Sequence, residues 1–354
     1  MILHYSLENK WTYLSMLKRN NFLTFVLLMA MTSCAGFFPL KETVVAPGNW
    51  HSRLIRGISE EDPACFIWWR ALDDPILTEL IEEAAHRNSD VQIAAALNCT
   101  EKILETMNKV TGEIASHYLR LRGFQSRLSL LEARIGVQQN ALDFNQGLST
   151  TGFINTIEQN ESQKTALLLS MQKTQIEQSI DKMIFHLSTL LSYPPCGLYE
   201  ILIVPKPLPK LPVFMPVGYP QDLKCNHDSV REAAKQYRAM PNKLAFYNYQ
   251  KQFLSALEDT ENALTALHDD LKVVDDLQTL KNVKAENYQL MKELNSRGLK
   301  GDLESQGVLL ELLSEESDLV EAKVNLLLDY VSLYQSLGVG WEVSHCIKGN
   351  KKII

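Results

Sequence analysis

The sequence predicts a mainly α-helical protein in which two long antiparallel α-hairpins follow one another as a tandem repeat. The clearest sign is the stretch Asn295–Gly301, where two glycines interrupt a long helical pattern. On each side of it, apolar residues recur at steps of three, four and seven, the spacing of a coiled-coil-like stripe. Because glycine readily ends a helix in a left-handed turn, Gly298 and Gly301 indicate the turn of a hairpin. A weaker second copy at Asn145–Gly152 indicates the repeat.

Apolar stripes flank both predicted turns. Around the second turn they are Leu257, Leu264, Leu267, Leu271 and Val274 before it, and Leu309, Leu313, Val320, Val324, Leu327, Val331 and Tyr334 after it. Around the first turn they are Ile114, Tyr118, Leu121, Leu128, Leu131, Ile135 and Leu142 before it, and Ile176, Ile180, Met183, Leu187 and Leu190 after it. Arms of about 30–40 residues would be rods about 45–60 Å long, and we expect them to pack as a twisted four-helix body.

The composition favours long helices and argues against several function classes. Only 16 glycines and 13 prolines occur among 354 residues, so helix breakers are scarce. The net charge of −7, without a basic stripe interleaved with aromatic residues, argues against a nucleic-acid partner. Six scattered cysteines form no Cys-x-x-Cys pair, which argues against a structural zinc site and a disulfide framework. We expect most of them to be buried thiols.

The amino terminus has the features of a secretory signal over residues 1–33. Lys18 and Arg19 precede an apolar run at Phe22–Ala30, and small residues lead into Cys34. The run is too short for a membrane-spanning helix, which needs ~20 apolar residues. The residues before Cys34 resemble a bacterial lipobox, which implies that this cysteine is acylated and becomes the new amino terminus. The alternative is an ordinary signal peptide with a chance cysteine, and Met16 is an alternative start.

The rest of the chain divides into five segments. An extended arm at 34–74 precedes a first helical repeat at 75–195, in which Asp74 is the expected N-cap of a helix that starts at Pro75. A linker at 196–226 follows; its first part, Leu198–Val204, has the composition of a strand, and six prolines then occur between residues 205 and 220. The second helical repeat covers 227–342 and a tail covers 343–354.

Several short segments, taken in order, resemble the TolC-like outer-membrane efflux lipoproteins, which are the exit ducts of tripartite pumps of the resistance-nodulation-division type. They are Trp68-Trp69, Leu72–Ile81, Asn88–Ala94, Tyr118–Arg122, Gly147-Leu148, Leu190–Pro195, Leu211–Pro220, Gly298-Leu299 and Leu337–Trp341. No single segment is specific, but their order and spacing are. The resemblance implies that three protomers form a hollow helical cylinder whose hairpin turns meet a periplasmic adaptor and an inner-membrane pump.

One departure from this family pattern concerns the strands that form its outer-membrane barrel. The resemblance places them between Thr100 and Glu113 and between Tyr237 and Lys251. A hairpin of spanning strands needs at least about 20 residues and a turn. The first segment is shorter than this and has a helical composition, and the second has room for one short strand. We therefore expect little or no β-barrel.

No motif in the chain points to catalysis. The densest acidic cluster surrounds His268, Asp270 and Asp275, and we interpret it as a solvated helix face. His117 and His186 lie in apolar stripes, where packing is the simpler interpretation. The sequence has no phosphate-binding glycine loop, nucleophile elbow or metal-ligand spacing. We therefore expect no enzyme activity, no cofactor and no metal.

The leading hypothesis is an efflux duct component that conducts passively. It would be held to the outer membrane by a lipid on Cys34, lie mostly in the periplasm and form a homotrimer. It would dock the adaptor through two tips, represented by Gly147 and Leu148 in the first hairpin and by Gly298 and Leu299 in the second. The alternative is a structural, adaptor-binding lipoprotein, or a degenerate efflux protein, without transport activity.

Overall fold

The computed structural model describes residues 44–341 except Arg56, Ala64, Cys65, Asn98 and 151–155. The predicted signal, Cys34 and the predicted tail at 343–354 lie outside the described residues. The helices are α1 (Pro75–Arg87), α2 (Ser89–Ala96), α3 (Thr100–Thr150), α4 (Thr156–Leu190), α5 (Tyr199–Leu202), α6 (Leu223–Asn226), α7 (Asp228–Ala239), α8 (Lys243–Ser296) and α9 (Asp302–Leu337). Two short strands, β1 (Ile58–Ser59) and β2 (Met215–Pro216), pair in parallel. The prediction of a mainly α protein with two long hairpins is confirmed.

Helices α1 and α2 begin at residues whose side chains accept backbone hydrogen bonds. Asp74 Oδ1 accepts the Leu77 amide at 3.0 Å, and proline follows directly, as predicted. Asn88 Oδ1 accepts the amides of Asp90 and Val91 at 2.9 and 3.0 Å. The second cap explains why the helical pattern is interrupted there: Asn88 ends one helix and starts the next.

Four long helices make up most of the molecule. Helices α3 and α8 have 51 and 54 residues, and α4 and α9 have 35 and 36. At ~1.5 Å per residue, α3 and α8 are about 75–80 Å long and exceed the predicted rods. The excess in α3 arises at its start: the predicted apolar stripe begins at Ile114, whereas the helix begins at Thr100. The segment 100–112 is thus helical, as its composition indicates.

The long helices lie in one row, in the order α4, α3, α9, α8. Helix α3 packs along α4 and along α9, and α9 packs along α8. The central pair is antiparallel, because Gly112 and Gly123 of α3 face Gln335 and Val324 of α9, respectively. Among the described residues no extended packing joins α4 to α8. The row therefore differs from the expected four-helix body, since each of its two outer helices packs along another long helix on one side only.

One end of the row is closed by a cluster of aromatic residues from the arm and from α9. Trp68 is buried and stacks on Tyr334 at a ring distance of 6.2 Å. Tyr330 donates to the Trp68 carbonyl at 2.8 Å, and Tyr334 donates to the Pro216 carbonyl at 3.1 Å. Trp50 Nε1 donates to the Gly218 carbonyl at 2.8 Å. These bonds hold the arm and the linker on the helical body.

The linker is fixed to α3 by a buried arginine. Arg122 is 0% exposed, and its Nη1 donates to the carbonyls of Leu202 and Val204 at 3.3 and 2.9 Å. Gln125 Nε2 also donates to the Leu202 carbonyl, at 2.8 Å. The predicted strand at Leu198–Val204 is wrong, because residues 199–202 form the short helix α5. A strand needs a partner for its backbone groups, whereas here the chain bonds to itself and to Arg122.

Two further findings concern membrane insertion and the cysteines. Within the described chain, every helix is too short or too polar to cross a bilayer as a helical span. Cys99, Cys196 and Cys225 are free thiols and are exposed. The expectation of buried thiols is therefore wrong for these three, which lie at a helix start, in a turn and in the short helix α6.

Alanine at Gly123 should destabilise the protein. The added Cβ would overlap Cγ2 of Val324 on α9, and a β-branched side chain has little freedom to move away. We expect Gly123→Ala to lower the free energy of unfolding by about 1–3 kcal/mol, measured by urea denaturation of the full chain.

Gly136 provides the matched control in the same helix. A Cβ there would meet no described atom within 4 Å, so Gly136→Ala should stabilise by roughly 0.5–1 kcal/mol. Adding Val324→Ala should reduce the extra loss caused by Gly123→Ala. Equal stability of Gly123→Ala and Gly136→Ala would contradict the close approach of α3 to α9.

Candidate functional site: the hairpin tips and the outer helix edges

The second hairpin tip is a short, well-ordered turn at residues 297–301. Gly298 has a φ of +72°, in the left-handed region. Its amide donates to the Asn295 carbonyl at 2.8 Å, and the Leu299 amide donates to the Leu294 carbonyl at 3.0 Å. This pair of bonds is the Schellman arrangement, which satisfies carbonyls that a helix end otherwise leaves free. The prediction that a glycine turn separates the two helices is confirmed.

Helix α9 starts immediately after this turn with its own cap. The Gly301 amide donates to Glu304 Oε2 at 3.2 Å, and Lys300 Nζ lies 3.1 Å from Glu304 Oε1. The Gly301 amide, followed by Lys300, lowers the pKa of Glu304. Asn295 Nδ2 donates to Asp302 Oδ1 at 2.7 Å and so links the two helix ends across the turn.

Leu299 is the most exposed apolar side chain of this tip, with 66% of its surface accessible. Leu294 and Leu303 on the adjoining helix ends are also exposed. Because the turn is held by backbone bonds, Leu299 occupies a defined position without packing against the protein. An apolar side chain held in water in this way is suited to contact with another protein.

The first tip differs from its prediction. Helix α3 continues through Gly147 and Leu148 to Thr150, and α4 begins at Thr156. The predicted break over Gly147–Gly152 therefore starts too early: residues 147–150 are helical, since an isolated glycine costs a helix only about 1 kcal/mol. The connection between α3 and α4 falls at residues 151–155, outside the described residues. Gly147 and Leu148 lie at the end of α3, next to that connection.

The outer edge of α8 carries a second apolar stripe that the sequence reasoning missed. Its five members are exposed and recur at steps of seven, three, seven and four: Val273, Leu280, Val283, Leu290 and Leu294. The same coiled-coil spacing that identifies the buried stripe could have revealed this one. Helix α4, at the other edge, exposes Ile157, Leu167, Leu168, Met171 and Phe185. Three of these, Ile157, Met171 and Phe185, lie at intervals of 14 residues and so share one helix face.

Two pairs of titratable groups in the described chain make close contacts. The tilted rings of His117 and His186 lie 4.0 Å apart, His117 Nδ1 lies 2.7 Å from the Glu113 carbonyl, and burial lowers the pKa of His117. Burial and then the charge and hydrogen bond of Asp270 raise the pKa of Asp329 to about 7. Asp270 therefore contacts α9 instead of lying on a fully solvated face. In the described chain no three His, Cys, Asp or Glu residues converge as metal ligands.

Comparison with known proteins identifies the fold. No family model and no curated protein matches the sequence. Among solved structures, the outer-membrane channel OprN superposes with a TM-score of 0.71 and 16% identity, over 86% of this chain and 100% of that chain. The Campylobacter jejuni outer membrane channel CmeC gives 0.68 and 11%, over 87% and 97%. CusC, described for its transmembrane channel formation, gives 0.65 and 14%, over 75% and 96%. The fold is thus TolC-like, as the resemblance implies.

Alanine at Gly298 should loosen the second tip. A left-handed φ costs an L-residue about 1–2 kcal/mol, so Gly298→Ala should raise amide hydrogen exchange around residues 294–304 by roughly ten-fold or more. Gly307→Ala in α9 is the control, because the described chain leaves its Cβ free space and its φ is not positive. Unchanged exchange at the tip in Gly298→Ala would contradict the left-handed turn.

Proposed function

We propose that this chain is a subunit of an outer-membrane efflux duct within a tripartite export system and that it conducts passively, without catalysing a reaction. The observation that carries the proposal is the open row of four long helices with unpartnered apolar edges. Together with the TolC-like fold, this row is the geometry of one segment of a cylinder wall. The solved structures with this fold are outer-membrane channels, which supports a role in efflux in general. The assembly of copies and the docking of an adaptor are parts of this proposal.

The two edges favour association of identical copies. The α8 edge carries a heptad-spaced apolar stripe over residues 273–294. The α4 edge carries exposed apolar side chains over a similar span, residues 157–185. Pairing the α8 edge of one copy with the α4 edge of the next is a head-to-tail contact, which closes into a ring when the rotation permits. The TolC-like resemblance sets the proposed number of copies at three.

The tips are the proposed contact with a periplasmic adaptor, and through it with an inner-membrane pump. Leu299 is held outward by the Gly298 turn, and Gly147 and Leu148 lie next to the first connection. The tip is also far from the aromatic cluster, since α9 separates them by about 30 residues, or about 45 Å. After removal of the signal over 1–33, a lipid on Cys34 would hold the chain to the outer membrane, with most of it in the periplasm.

A second candidate function is an adaptor-binding lipoprotein without transport. The observation that favours it is that α3 is helical through 100–113, where the resemblance places inserted strands. Helix α8 is likewise helical from Lys243 onward. This candidate has the same edges and tips as the duct, so only ion conductance separates the two. Stepwise ion currents from the purified assembly in planar bilayers support the duct. Trimers that give no current support the alternative.

Charged residues on the α8 edge should break the assembly. Because Val283 and Leu290 would be buried between copies, Val283→Glu with Leu290→Glu should convert a trimer into monomers in detergent, as measured by light scattering after size-exclusion chromatography. Leu244→Glu is the control, since Leu244 is 81% exposed at the start of the same helix, about 44 Å before the stripe begins. A trimer that survives the double change would exclude α8 as the contact edge.

A photo-crosslinking residue at position 299 should capture the adaptor in the native cell. We expect a crosslinked product that mass spectrometry identifies as a periplasmic adaptor, and a similar product from position 148. Position 213 is the control, because Val213 is 92% exposed but lies in the linker near the aromatic cluster. Equal adaptor capture from position 213, or none from position 299, would refute docking through the tips.

A further inference from the structure

An open groove lies on one face of the helical row, where the linker passes beside the central helices. Its volume is about 480 Å³, and it is bounded by α3, α8, α9 and the linker residues Pro205–Pro207. This volume falls in the range of small-molecule sites, about 300–1,000 Å³. The groove is formed within one protomer, so what it binds is independent of the proposed duct role.

Three lysines and one glutamate line the groove and give it a positive charge. Lys281 Nζ pairs with Glu316 Oε1 at 3.0 Å. Lys206 and Lys323 form no ion pair within the described chain. Burial and then the positive charge of Lys281 lower the pKa of Lys323. Two cations without a counter-ion, one of them partly desolvated, make the groove favourable for an anion.

The wall that carries Lys206 is fixed in place. The carbonyls of Leu202 and Val204 accept hydrogen bonds from Arg122 and Gln125 of α3, and prolines flank Lys206 on both sides. Proline restricts the backbone, so little conformational freedom remains to be lost when a ligand binds. The buried guanidinium of Arg122 adds a positive charge behind this wall, and its Nε and Nη2 have no hydrogen-bond partner in the described chain.

The remaining lining is apolar with two hydroxyl groups. Leu130, Leu319 and Val320 form the apolar part, and Ser126 and Ser129 contribute hydroxyls from α3. A ligand that uses both parts needs an anionic group and a compact aliphatic or aromatic body. We propose that this groove binds an amphipathic organic anion, with its carboxylate or sulfonate between Lys206 and Lys323 and its apolar part on Leu130 and Val320.

Isothermal titration of the full chain in non-ionic detergent tests this proposal, with octanoate as the probe and octanol as its neutral analogue. Octanoate should bind at one site per chain above a detergent-only blank, and binding should weaken as sodium chloride is raised. Octanol should show no comparable binding. Equal binding of octanol and octanoate, or no binding of octanoate to the folded protein, would overturn the proposal.

Three variants should change the affinity for octanoate in different directions: two should weaken it and one should strengthen it. Lys323→Met removes an unpaired cation and should weaken octanoate binding about ten-fold. Lys206→Met should have the same effect, and because Lys206 is exposed, this change should leave folding intact. Glu316→Gln removes the only carboxylate of the groove lining and should tighten binding. Lys284→Met is the matched control, because Lys284 pairs with Glu311 outside the groove and its removal should change nothing. Tighter binding in both lysine variants, or weaker binding in Glu316→Gln, would refute anion binding.

Discussion

The close antiparallel contact between α3 and α9 is the constraint on which the rest of the structure depends. Two glycines of α3, Gly112 and Gly123, leave room for Gln335 and Val324 of α9, and Arg127 pairs with Glu321 across the same seam at 3.1 Å. This contact joins the two hairpins through their inner helices. It thereby places α4 and α8 on the outside, each with one apolar face covered and one exposed. The proposed association with further copies would use these exposed faces, so the seam determines which helices are available for it.

The two ends of the row are stabilised differently. At one end, Trp68, Tyr330 and Tyr334 are buried together, and the two tyrosine hydroxyls donate to backbone carbonyls of the arm and linker. At the other end, Leu294 and Leu299 are exposed, and the turn and the Asn295–Asp302 hydrogen bond join α8 to α9. Regions with few buried contacts open more easily than packed ones. The aromatic end therefore contributes more of the packing that maintains the protein's shape than the tip does.

How far the sequence predicts this structure depends on whether the decisive contacts are local. The second hairpin is predicted almost to the residue, because a left-handed glycine turn and two heptad stripes are local signals. The predicted break over Gly147–Gly152 starts too early because a single glycine costs a long helix only about 1 kcal/mol, so α3 continues to Thr150. The Leu198–Val204 strand fails because its carbonyls are taken by Arg122, about 80 residues earlier in the chain. The α8 edge stripe has the same local periodicity, so the sequence contains the signal that identifies it.

The groove lined by three lysines depends on Arg122, which fixes the linker beside α3, and such a long-range contact leaves no local signal in the sequence. Four segments form the groove, and only the folded chain brings Lys206, Lys281 and Lys323 together. The linker carbonyls that face α3 need donors, and a guanidinium supplies several from one buried position, whereas an apolar residue supplies none. Fixing the linker in this way costs the burial of a positive charge and draws Lys206 towards two other lysines. An anion in the groove would offset that accumulated charge, so the packing of the linker and the proposed binding have one physical origin.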